Sequence, residues 1–333
     1  MARMRYLIRV LLTVLVALGR QAFHRLFRGP LVPSWSWSVE LRMVALRAFL
    51  VATAAGGDRT RRRVLEASID PALPRSLRNV MVCEPASVGG IPGEWVRRNH
   101  ARQDDPTIFY LHGGAYLAGS PATHRRFIAR LTWVARATAF APHYRLAPQH
   151  KFPAAVDDAE AAYLGLLDMG VDPSRLIVAG DSAGGGLTCA LLLRLRRDGH
   201  PQPAGAVLFS PYTDLEHTAA SIKMNAATDY LPAGPVMANT FYLGDADPKH
   251  PEASPMYGDY ADVAPMLVFA GGREMILDDS IRLVEKAQRD GADVTLRVED
   301  DMFHVWPVLL PNHEATLRTL TAVAEFVQAN AKA

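Results

Sequence analysis

Cysteine is nearly absent from this sequence. Cys83 and Cys189 are the only two in 333 residues. That is too few for a disulfide framework, and both read as buried thiols. No cluster of cysteine and histidine has zinc spacing, and no H-E-x-x-H occurs, so no metal is expected. An excess of one charge is lacking too. The net charge is +2 with neutral histidines, which gives no reason to expect a nucleic-acid partner. A short basic run, Arg59 with Arg61 to Arg63, reads as a solvated face or turn. No internal repeat or low-complexity linker breaks the chain, so one domain with added segments is expected. Long apolar runs are missing as well. The stretch Val10 to Leu18 is too short to span a bilayer comfortably.

What is present is a globular composition, 49% hydrophobic and 21% charged, with strand and helix signals in alternation. Asn79 to Cys83 and Glu94 to Arg97 read as an antiparallel pair joined by a loop from Glu84 to Gly93. Thr107 to Leu111 is a continuous apolar run, as in a strand covered on both faces. Further strands are expected at 137–142, 176–179, 204–209, 266–270 and 294–298, with helices between most of them and a last helix at about 314–328. This rhythm implies a mostly parallel sheet with ligands at the strand C-terminal ends.

The most informative stretch follows Leu176 to Ala179. Gly180-Asp181-Ser182-Ala183-Gly184 fits G-x-S-x-G, and a helical run continues to Arg197 before Gly199 and Pro201. Strand, glycine-flanked serine, then helix is the context of a nucleophile elbow. His112-Gly113-Gly114-Ala115 follows the strand at 107–111 and can expose backbone amides to a developing negative charge. The candidate donors are Gly113, Gly114 and Ala183. His304 sits just past the last strand and is the candidate base for Ser182. An acid must orient it. Glu274, Asp278 and Asp279 all follow the strand at 266–270; Glu274 is nearest the strand end, whereas the two aspartates suit a helix start.

The chain resembles the hormone-sensitive-lipase-like branch of the α/β-hydrolases, the bacterial family IV esterases. The resemblance covers roughly residues 75–330. It rests on His-Gly-Gly-Ala-Tyr at 112–116, Tyr-Arg-Leu-Ala-Pro at 144–148, Phe-Pro-Ala-Ala at 152–155 and Gly-Asp-Ser-Ala-Gly-Gly at 180–185. Ser-Pro-Tyr-Thr-Asp at 210–214, Glu-Met-Ile-Leu-Asp-Asp at 274–279 and Met-Phe-His-Val at 302–305 complete it. The resemblance implies an eight-stranded, mostly parallel α/β-hydrolase sheet with helices on both faces and a helical cap. It implies a serine hydrolase that cleaves carboxylic esters of short to medium acyl chain through an acyl-enzyme, with no cofactor and in some relatives as a homodimer. The triad would be Ser182, Glu274 and His304. Lactones, acetyl esters, carbamates and amides suit the same groups. A non-catalytic receptor on this fold would lack a working histidine, and His304 is present. The chain departs from the family pattern at Ala115, Glu274, His143 and Gln149, whereas Asp158 and Asp214 match positions read as structural.

Two segments stand outside the strand rhythm. Residues 215–262 hold aromatics and methionines among prolines and glycines and read as an irregular lid. With helices in 29–75 they would form the cap, and 76–333 the catalytic domain. Residues 1–28 carry arginines on both sides of the apolar stretch. They read as an interfacial or cap helix, a signal or anchor, or a structural helix. A cytoplasmic protein is the expectation, with membrane-surface contact or export through this segment as the alternatives.

Overall fold

The computed structural model describes residues 2–54, 72–232 and 239–331. The basic run at Arg59 to Arg63, Met237 and part of the 29–75 segment lie outside the described residues. Eight strands form one sheet in the order β1-β2-β4-β3-β5-β6-β7-β8. They are β1 (Met81–Val88), β2 (Ile91–Arg98), β3 (Thr107–Leu111), β4 (Thr138–Pro142), β5 (Leu176–Asp181), β6 (Gly205–Phe209), β7 (Met266–Gly271) and β8 (Val294–Glu299). From β4 onward along the sheet every pairing is parallel; β1 with β2 and β2 with β4 are antiparallel.

The first hairpin differs from the sequence reading. Most of the expected loop from Glu84 to Gly93 is strand, and the turn is only Gly89-Gly90. Both glycines have positive φ, 57° and 79°, the geometry a two-residue hairpin needs. Pro85 hides the strand in the sequence, but β1 is the sheet edge, where a missing N–H is tolerated.

Alternation in the central strands feeds two cores. Ile108 and Tyr110 of β3 pack with Phe127 and Ile128 of α3 (Pro121–Ala135) and Leu320 of the C-terminal helix (Glu314–Asn330). Phe109 and Leu111 face the other way, onto Tyr163 of α4 (Ala154–Asp168) and Leu187 and Leu191 of α5 (Ala183–Asp198). On that same side α6 (Leu277–Arg289) covers β7 and β8 through Leu283, Val284 and Ala287. Helices therefore clothe both faces, and the loops after β3, β5, β7 and β8 gather at one edge.

The N-terminus forms a helical pair, α1 (Ala2–Arg28) and α2 (Trp37–Ala54). The helix at the start is far longer than the apolar stretch that marks it, because the flanking arginines and Phe23 continue the same turns. Tyr6–Arg28 is long and apolar enough to cross a membrane by length and composition. Glu40 of α2 is fully buried and takes Gln21 Nε2 at 2.5 Å, the Arg25 guanidinium and the Leu31 amide. Trp35 packs edge-on against Phe303 at 5.7 Å, so it belongs to the core.

Candidate active site

Ser182 sits between β5 and α5 with φ 53° and ψ −120°, a strained conformation for a non-glycine residue. Its surroundings enforce it. A Cβ on Gly184 would lie 2.0 Å from the Leu111 carbonyl oxygen, and one on Gly180 would lie 2.3 Å from the Gly184 carbonyl oxygen. Only bare backbone fits so tight a crossing. The Ser182 amide donates to the Phe209 carbonyl and the Tyr212 amide donates to the Ser182 carbonyl, both at 2.9 Å. The elbow is thus tied to β6 on both sides.

The imidazole of His304 arrives from the loop after β8. Its Nε2 stands 2.9 Å from Ser182 Oγ, and its Nδ1 stands 3.3 Å from Glu274 Oε2. His304 and Glu274 are buried, while Ser182 keeps some exposure. Burial disfavours the imidazolium, but the hydrogen bond and charge of Glu274, with Asp229 and Asp181 behind it, outweigh that. The His304 pKa is raised above its ordinary 6.5. Of the three acids weighed from sequence, only Glu274 meets the histidine. Asp278 accepts from the Ser221 amide at 2.9 Å, and Asp279 accepts from the amides of Thr213 and Asp214 at 2.8 and 2.9 Å.

One expected site residue needs correction. The Gly113 amide is taken up by another partner: it donates to Asp181 Oδ1 at 2.9 Å. Asp181 is buried at the end of β5 and also accepts from the Tyr110 hydroxyl at 2.7 Å, with His124 Nε2 at 3.4 Å from its other oxygen. Burial alone would raise its pKa, yet His124, Tyr110 and Gly113 together lower it. The first glycine of the loop therefore anchors the loop to the carboxylate beside the nucleophile. The amides of Gly114, Ala115 and Ala183 donate to no described residue. In the sequence Asp181 occupies the variable position of the elbow, and a lone carboxylate ending an apolar strand is the only signal it gives.

The segment 215–232 also holds residues that pattern reading did not single out. Asn225 Nδ2 donates to the Glu274 carbonyl at 2.9 Å, Thr228 Oγ1 to the Arg273 carbonyl at 3.2 Å, and Ser221 Oγ to the Met275 carbonyl at 2.7 Å. Asp229 is fully buried and accepts from the Met275 amide at 2.7 Å and the His304 amide at 3.3 Å. The two aspartates read as structural behave so: Asp158 holds Arg145, and Asp214 holds Thr218 and Arg282. Among the described residues no group of three or more His, Cys, Asp or Glu could hold a metal.

A strained serine at a strand-to-helix turn on an eight-stranded, mostly parallel sheet defines an α/β-hydrolase. Residues 108–308 match the family described as the alpha/beta hydrolase fold, and the chain belongs to it. It is a hydrolase of the hormone-sensitive-lipase-like esterase branch. A solved esterase from the bacterial hormone-sensitive lipase family superposes with a TM-score of 0.80 at 37% identity, covering 87% of this chain and 98% of that one. An acetyl-hydrolase of Streptomyces hygroscopicus is 45% identical over 222 residues, 66% of this chain and 74% of the relative. An esterase of Acinetobacter venetianus is 32% identical over 73% of this chain and 80% of its own.

Proposed function

We propose that this hydrolase cleaves carboxylic esters of short to medium acyl chain through an acyl-enzyme on Ser182. The observation that carries the reading is the 2.9 Å contact of Ser182 Oγ with His304 Nε2, with Glu274 on the opposite ring nitrogen. His304 takes the serine proton as Oγ attacks the ester carbonyl, and Glu274 holds the ring and stabilises the imidazolium. The amides of Gly114, Ala115 and Ala183 receive the oxyanion; Ala115 replaces Gly113 in this role. His304 then protonates the leaving alcohol, and a water activated by His304 releases the acid. An acetylated small molecule is the variant favoured by the likeness to the Streptomyces acetyl-hydrolase.

The test is hydrolysis of p-nitrophenyl esters from acetate to palmitate, with Ser182→Ala alongside. A Ser182-dependent maximum at short chains is expected. Full activity in Ser182→Ala would sink the reading.

Residues 215–262 and the N-terminal helices serve as the cap, and α1 additionally rests on an anionic lipid surface. Leu11, Leu12, Leu15, Phe23, Leu26 and Phe27 are exposed along it. Arg9 and Arg20, also exposed, stand about three turns apart on one side, and residues 2–28 contain no acid. Lying flat suits these features better than spanning. The ten residues between the two arginines reach roughly 15 Å, half a hydrocarbon core, and a span would separate Arg25 from buried Glu40. Sedimentation with phosphatidylcholine vesicles, with and without phosphatidylglycerol, tests this. Binding that needs the anionic lipid and is lost in Leu11→Asp/Leu15→Asp is expected. A dimer with no vesicle binding would instead assign the face to a second copy.

A further inference from the structure

We infer that Asp229 is a positioning residue for the acid–base pair: one carboxylate, supplied by the insertion, holds the backbones of both Glu274 and His304. The inference rests on the reading of those two residues as acid and base.

Glu274 and His304 lie on separate loops, after β7 and after β8. Their side chains touch through a single 3.3 Å contact, and Glu274 Oε1 has no hydrogen-bond partner although it is buried. The main chains of the two loops also meet, the Gly272 amide donating to the Glu299 carbonyl and the Arg273 amide to the Met302 carbonyl, both at 2.9 Å. Asp229 adds a tie closer to the two side chains. Its Oδ2 accepts the amide of Met275, the residue after the acid, at 2.7 Å, and its Oδ1 accepts the amide of His304 itself at 3.3 Å. The two oxygens of one rigid carboxylate thus link the amide next to the acid with the amide of the base. No other described side chain binds an amide on both.

Asp229 is itself held. The Arg47 guanidinium of α2 donates to the carbonyl oxygens of Asp229 and Ala226, and the Tyr230 amide donates to Asp229 Oδ1 at 2.7 Å. Tyr230 packs at 5.8 Å from the His304 ring and edge-on to Phe303 at 5.9 Å. The path from the N-terminal helices to the imidazole is therefore short: α2, Arg47, the 226–229 turn, Asp229, His304.

The same carboxylate contributes charge. The groups that face it are His304 from the loop after β8, Glu274 from the loop after β7, and Arg47 from α2. His304 in turn faces Glu274, Asp229, Asp181 at the end of β5, and Tyr230. Burial pushes the Asp229 carboxyl up to about 6, with the His304 charge opposing. When ionised, Asp229 favours the imidazolium.

The experiment measures kcat, KM and the pH profile of kcat/KM for Asp229→Asn and Asp229→Glu, with His304→Ala as control. In Asp229→Asn an amide N–H₂ must face a backbone N–H, so one of the two holds is lost, and so is the charge. The expected result is a kcat lower by about 10- to 100-fold, in line with the effect of small misplacements. KM stays within about twofold because no substrate contact is removed, and the acid limb of the profile moves to lower pH. Asp229→Glu keeps the charge but misplaces it, so kcat falls while the acid limb stays. If Asp229→Asn does not fold, Asp229→Glu decides: reduced kcat with unchanged KM and acid limb supports the inference, and wild-type kcat overturns it. A folded Asp229→Asn with wild-type kcat and profile overturns it as well, leaving a structural role only. Activity surviving in His304→Ala would instead remove the underlying assignment of the base.

Discussion

The two halves of this candidate active site are held in place by different physics. Ser182 is fixed by exclusion: Gly180 and Gly184 let three backbone segments cross where no side chain fits, and the serine takes the one conformation left. Glu274 and His304 are fixed by attraction: Ser221, Asn225, Thr228 and Asp229 bond to the loops that carry them. A steric constraint is local in sequence and tolerates almost no substitution. A hydrogen-bonded scaffold is assembled from residues some 45 to 75 positions away, and it can be loosened one bond at a time.

Three perturbations separate the halves. Glu274→Gln should lower kcat by about a thousandfold with little change in KM, because an amide cannot stabilise the imidazolium and can favour the wrong tautomer; steady-state kinetics on p-nitrophenyl butyrate reads it. A fall of less than about tenfold would mean that the attraction-built half carries less of the chemistry than its geometry suggests. Gly184→Ala should act on folding instead. Its Cβ would meet the Leu111 carbonyl at 2.0 Å, so a loss on the order of 3 kcal/mol is expected from overpacking a rigid backbone crossing. Denaturant unfolding measures it, and a wild-type midpoint would show that the backbone crossing at the elbow yields to an added methyl group. The smallest effect is in pH. Catalysis needs neutral His304, whose folded pKa is raised above 6.5. The acid limb of kcat/KM should therefore lie above 6.5, with activity lost as pH falls through it. A limb below 6.5 would mean that burial outweighs the surrounding carboxylates.

This contrast also explains what the sequence disclosed. The alternating strands, the parallel sheet, the Gly180-to-Gly184 turn and the chain order of Ser182, Glu274 and His304 were legible, because periodicity and glycine spacing are local signals. The first hairpin was misjudged because Pro85 and Gly89-Gly90 look like loop until the edge position of β1 is known. Gly113 looks free to offer its amide as long as its loop is considered by itself. Its acceptor, Asp181, is 68 positions further on and meets it only when β3 and β5 pair. Asp229 gave no pattern at all. A single aspartate in an irregular segment is indistinguishable from solvent-facing polar filler until the backbone amides it gathers are known.

The pairing of Arg25 with Glu40 has a consequence for biosynthesis. Both partners lie within the first 54 residues, in two helices joined by the eight residues 29–36. A contact this short in sequence can close while most of the sheet is still inside or behind the ribosome. The nascent chain can thus present a paired helical hairpin, with its oily side outward, before any strand exists. The helical pair and its apolar outer side can therefore be in place before the sheet that carries Ser182 and His304 assembles.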